Sequence, residues 1–262
     1  SRDVLFNSGP ANQLSPLILF GENIRTPRAW HLFAEYQQEL FDRLSVTATY
    51  TESFGSQLFS AVTRRGADPV YQYIRITKND GSSRHRSLQF RLERRFSRGF
   101  SFISRYSIGK TTDNISPDTF RETNDSSLIK GLSDLDLRQQ FSASGSYDLP
   151  QFFDGGIARK VFEDWSLSAS VNARSGFPVD VGTMRVNDFG LEFQRAGRIS
   201  GVSPYLDETT TRRLNPAAFS FPQTNEIGER NSVRGFGFFQ LDTTVRRRFR
   251  FTNEIGLDVS LN

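Results

Sequence analysis

Cysteine is absent from this 262-residue chain, which excludes a disulfide framework and thiolate metal sites. Histidine occurs only at His31 and His85, in separate segments, so no histidine metal cluster or His-based triad can be assembled. Lysine is scarce: only Lys78, Lys110, Lys130 and Lys160 are present, and nearly all positive charge is arginine. Long apolar runs are missing too. No stretch of about 18 apolar residues occurs, which excludes a membrane-spanning helix. It does not exclude a membrane barrel, whose strands hide their apolar residues in alternation. No phosphate-binding or dinucleotide glycine fingerprint is present. The first residues show no Met, charged n-region or apolar h-region, so no signal peptide is expected within the chain. Accordingly no catalytic, cofactor-binding or metal-binding residue is expected, and no enzymatic activity.

What is present is phenylalanine, 25 residues of it, in a chain of mean hydropathy −0.48. The most informative run is Ser82 to Ile108. Leu88, Phe90, Leu92 and Phe96 share one face of a period-2 pattern; His85, Ser87, Gln89, Arg91, Glu93 and Arg95 share the other. A turn at Ser97-Arg98-Gly99 starts a second run, with Phe100, Phe102, Ser104, Tyr106 and Ile108 on one face. An apolar face backed by a face rich in Arg and Glu suits a transmembrane β-hairpin, lipid outside and a wet lumen inside. A β-sandwich core would also use Phe, but it does not need so polar an opposite face.

The pattern recurs along the chain. Candidate strands run over 28–41, 44–54, 135–149 and 165–175, then from Phe239 to about Arg250, with a final run ending at Leu261. Val70–Thr77 is expected to form a short extracellular hairpin with the start of the Ser82 strand, across Asn79-Asp80-Gly81. Connections near 42, 98 and 251 are short, and one near 155 is moderate. Those over 55–81, 111–134 and 177–237 are long, and Gly176 to Gly237 reads as irregular. Short turns on one side and long loops on the other are the asymmetry of outer-membrane barrels. The expectation is an all-β, antiparallel transmembrane barrel portion of about eight long strands plus that hairpin. Because alternation continues up to Leu261, the chain is expected to be part of a longer barrel, since an open edge in lipid leaves backbone groups unpaired.

Candidate luminal charges are Arg91, Glu93, Arg95, Arg138, Arg174, Arg246 and Arg248. They pair across the wall, brace an internal plug, or contact an anionic solute. Arg84 and Arg86 share the outward parity of Leu88 at the extracellular end, where lipid and lipopolysaccharide phosphate are the expected contacts. The arginines are scattered rather than gathered in one patch, so nucleic acid is not expected as a partner. Asp134-Leu135-Asp136 lacks the glycine and glutamate of a calcium loop and reads as polar strand entry. Asn114-Ile115-Ser116 matches a glycosylation sequon by chance.

Ser87-Leu88-Gln89-x-Arg91-x-Glu93-Arg94-Arg95-Phe96-Ser97-x-Gly99-Phe100 resembles a recurring hairpin of Oar-like TonB-dependent receptors. Similar matches follow in order: Ser133-Asp134-x-Asp136-x-Arg138, Tyr147-x-Leu149-Pro150, Trp165, Arg174-Ser175-Gly176-x-Pro178, Asn215-Pro216-Ala217-Ala218-Phe219, and Gly228-x-x-Asn231-x-x-Arg234-Gly235. Gln139 and Phe236 depart from the family, which often has His and Pro there. The resemblance implies a 22-stranded bacterial outer-membrane barrel with a plug and a carboxypeptidase-regulatory-like N-terminal domain, energised through TonB. Residues 1–262 would then be a single partial barrel domain, with the plug and last strand absent. It would handle an unidentified glycan, peptide or metal chelate. A passive porin and a soluble β-rich binding protein are the other readings.

Overall fold

The computed structural model describes residues 15–41, 43–65, 70–115, 129–150, 155–156, 162–187, 190–206, 213–221, 228–250 and 256–262. In chain order the strands are β1 (Ser15–Phe20), β2 (Arg28–Phe41), β3 (Leu44–Arg65), β4 (Tyr71–Ser97), β5 (Phe100–Asp113), β6 (Gly131–Leu132), β7 (Gln139–Asp148) and β8 (Trp165–Arg174). There follow β9 (Pro178–Val179), β10 (Gly182–Asn187), β11 (Gly190–Arg195), β12 (Gly197–Arg198), β13 (Phe219–Ser220), β14 (Val233–Arg234), β15 (Phe238–Arg250) and β16 (Gly256–Leu261). Eight long strands pair in the order β16-β15-β8-β7-β5-β4-β3-β2. Apart from the small loop strands, each neighbour in space is the neighbour in sequence, and every pairing along this path is antiparallel.

Register turns the sequence alternation into two continuous faces. Tyr36, Ala48, Phe90, Tyr106, Phe141, Ala173 and Phe239 are successive cross-strand partners in one row. The next row in register runs Val46, Leu92, Ser104, Ala143, Val171, Leu241. Because side chains alternate strictly along a strand, one shared register places all these residues on one side. The large ones remain exposed, Phe239 at 69% and Tyr36 at 65%. Among the described residues the buried apolar side chains are Val62, Ala196, Ala218 and Val233 alone, and none lies within those rows. A water-soluble sandwich of this size would bury its Phe-rich face; here that face has no protein cover.

Several expectations are corrected. Asn79-Asp80-Gly81 is not a hairpin turn: β4 runs straight through it, and Tyr73–Lys78 pairs with β3 rather than with the Ser82 segment. The register instead shifts opposite Leu58, and a Cβ on Gly81 would sit 2.6 Å from the Leu58 carbonyl, so glycine is needed for close approach. The Asn79 amide donates to the carbonyls of Gln57 and Arg25, stitching the bulge. Residues 55–65, expected as loop, are therefore strand. The stretch from Gly176 to Gly237 is not irregular either. It contains the β10–β11 hairpin, β12–β13, β9–β14 and a short 3-10 helix over Pro216–Ala218 capped by Asn215. Finally, β7 begins at Gln139 rather than 135, and β1, which the alternation did not mark, lies parallel to the outer part of β4. The turn residue Asp42, the turn at 251 and the polar residues 116–128 lie outside the described residues.

Candidate functional site

The polar face lies opposite the Phe-rich one. Its central row is Gln37, Thr47, Arg91, Arg105, Ser142, Asn172, Gln240. The row toward the short turns is Glu39, Ser45, Glu93, Ile103, Ser144, Ser170, Asp242. A further step reaches Ser101, Ser146, Ser168 and Thr244. Serine repeats on β7 and β8 because alternate positions there read Ser142, Ser144, Ser146 and Ser166, Ser168, Ser170. An open groove of about 580 Å³ runs over these two rows, between Glu93, Ser144, Ser170 and Thr244. Short hydroxyls keep the surface low and wettable, and they bring donors and acceptors together without bulk.

The charges expected on this face occupy different settings. Arg91 and Glu93 form an ion pair along β4. Arg248 grips Asp258 with two nitrogens, at 2.9 and 3.2 Å. Arg246 stands between Ser166 and Ser260 in register. Arg95 lines the groove with Glu93. Arg174 stacks its guanidinium 4.5 Å from the Phe177 ring centre and 5.5 Å from that of Phe238. Arg138 is not on a strand. It precedes β7, and its side chain reaches toward Asp136 at 3.9 Å. Arg84 and Arg86 do sit outward, but both hold one carboxylate, Glu52, at 2.6 and 2.7 Å, and Arg84 also lies over Phe54. Among the described residues no acidic or histidine group could hold a metal.

The most buried charges were not anticipated. At the long-loop end, Arg230 bonds Asp113 at 2.6 Å and reaches Asp134 at 3.4 Å. Arg234 pairs with Asp136, whose side chain is fully buried, and donates to the carbonyls of Asp136 and Gly176. Asn231 donates through its amide to Asp134 and Leu132, and its backbone N–H meets Asp180, which also holds Arg195 at 2.7 Å. This chain of charge-assisted bonds fastens the 176–237 segment onto the ends of β5 and β7. A Cβ at Gly176 would overlap the Gly235 carbonyl, so this closure needs glycine. Asp134 and Asp136 are thus arginine anchors at a strand entry. The sequence marked these residues only through the alternation of Asp134 and Asp136 before β7 and through the Asn231-x-x-Arg234 motif, neither of which showed that they pair.

Three comparisons bear on identity. No curated protein matches the sequence. Among solved structures, the outer membrane transporter YddB from Escherichia coli is similar at 14% identity and TM-score 0.50. That likeness covers 91% of this chain and 28% of that one, so the present chain spans well under half of its relative. P. aeruginosa FpvA, solved bound to heterologous pyoverdines, is similar at 11% identity and TM-score 0.45, over 87% of this chain and 22% of FpvA. The family described as outer membrane beta barrel domain matches residues 5–261. The unclothed Phe-rich face is therefore the lipid face, the polar face is the lumen wall, and the chain belongs to the bacterial outer membrane beta barrel domain family.

Proposed function

We propose that residues 1–262 are one partial barrel domain of an Oar-like TonB-dependent receptor. Its plug and closing strands lie elsewhere in the whole protein. The observation that carries this reading is the combination of a serine-lined inner wall with a folded, ion-paired loop layer at one end. Low hydroxyl walls suit close contact with another polypeptide body filling the lumen. A folded, ion-paired loop layer suits recognition of a solute at the outer mouth. On this reading the plug couples to the TonB complex and an energised inner membrane. The solute is a glycan, peptide or metal chelate, and the wall has no catalytic role. Arg84 and Arg86 carry two positive charges against one Glu52, and their net charge faces lipopolysaccharide phosphate at the rim.

The test is conductance of the full-length protein in planar bilayers. A plugged receptor holds the membrane closed and binds the periplasmic domain of TonB. Large, steady open steps without TonB would favour a passive porin and overturn the proposal.

A further inference from the structure

Arg91 on β4 and Arg105 on β5 are direct cross-strand partners on the luminal wall. Directly opposite residues in an antiparallel pair have Cα atoms about 4.5–5.5 Å apart, and like charges placed so are destabilising. The carboxylate diagonal to Arg105 on β4 is Glu93, and its ion pair is with Arg91. Arg105 is exposed and has no ion-pair partner among the described residues. Within Arg91 itself, Nε is shut off from solvent and has no hydrogen-bond partner. The other register neighbours, Thr47, Ser142 and Asn172, are neutral hydrogen-bonding groups. Two guanidiniums face one carboxylate, which pairs with Arg91 alone, and polar neutral side chains flank them.

The geometry points to a luminal anion site: Arg91 and Arg105 together take a carboxylate or phosphate oxygen, with Ser142 and Asn172 beside it. Arginine forks match the planar two-oxygen edge of such groups, and a bound anion removes the repulsion built into the pair. The anion has two possible sources, an acidic side chain of the same protein's lumen-filling domain or an anionic solute. The first source rests on the receptor reading; the site itself does not.

The experiment uses the full-length protein with Arg105→Gln and Arg105→Lys variants, and inorganic phosphate as the probe at constant ionic strength. Two readouts are taken: phosphate affinity by calorimetry, and bilayer conductance. If the solute is the source, wild type binds phosphate and Arg105→Gln weakens it at least tenfold, while Arg105→Lys retains part of it. If the protein's own carboxylate is the source, wild type ignores phosphate and stays closed. Arg105→Gln then leaks current, and Arg105→Lys does not. Arg105→Gln matching wild type in both readouts overturns the site, with folded Arg105→Lys as the control for assembly. A conducting wild type would sink the plugged reading, while the phosphate arm still decides on the arginine pair.

Discussion

Arginine placed at Leu92 or Val171 should block assembly, whereas arginine at Ser170 should not. Leu92 stands five residues above the Ser97–Phe100 turn pair. At about 3.3 Å per residue and a tilt of about 40°, this puts it about 13 Å up an apolar band of about 25 Å. Val171 lies six residues above Trp165, the first residue of β8, or about 15 Å by the same reckoning. Both are therefore near the bilayer midplane, where arginine costs about 2–4 kcal/mol, against about 0–1 near the interfaces. That range shifts the folded-to-unfolded ratio about 30- to 700-fold. Ser170 is the chain neighbour of Val171 and so faces the opposite way, toward Asp242, which accepts from its hydroxyl at 3.5 Å. An arginine there meets a carboxylate and water rather than lipid. The assay is refolding of the full-length protein into vesicles across a urea series, scored by the heat-dependent gel shift of a folded barrel. Equal loss from Leu92→Arg, Val171→Arg and Ser170→Arg would refute the face assignment, and with it the register argument behind it.

The loop layer can be tested separately. Asp136→Ala strips the partner from a buried arginine contact, and removing one member of a buried pair costs about 3–5 kcal/mol. The loss is local, so limited proteolysis should cut within 176–237 while the barrel keeps its gel shift. Gly176→Ala should produce the same nicking, because its methyl group meets the Gly235 carbonyl; an uncut loop would contradict the closure described. Replacing Arg84 and Arg86 together by Gln should lower retention on lipopolysaccharide-containing vesicles relative to phosphatidylcholine vesicles, with little change in folding. Unchanged retention would mean Glu52 alone accounts for these two arginines.

The long strands were legible because lipid and lumen impose opposite demands on successive residues, so Leu88–Arg95 states its own pleat. What escaped the sequence escaped for physical reasons. Asn79-Asp80-Gly81 carries a genuine local turn signal, but turn chemistry and bulge chemistry use the same residues. The long β3–β4 ladder on both sides decides between them. Apart from the six-residue strands of the β10–β11 hairpin, the described strands of the 176–237 layer are two residues long and its one helical piece is a 3-10 turn, too short for alternation to register. Its arginine–aspartate network joins Arg230 to Asp113 across 117 positions, and no spacing rule reaches that far. Arg105 was hidden more simply, as a single charge among Phe, Ser and Ile in a run read for its apolar face. Only register shows that it stands against Arg91. The two unforeseen features share a cause. On a wall whose outer face is fixed by lipid, specificity resides where strands cross-pair or loops fold back. The residues that carry it are distant in sequence because antiparallel neighbours are joined only at one end. Charge that looks scattered along the chain is, in this fold, gathered by the sheet.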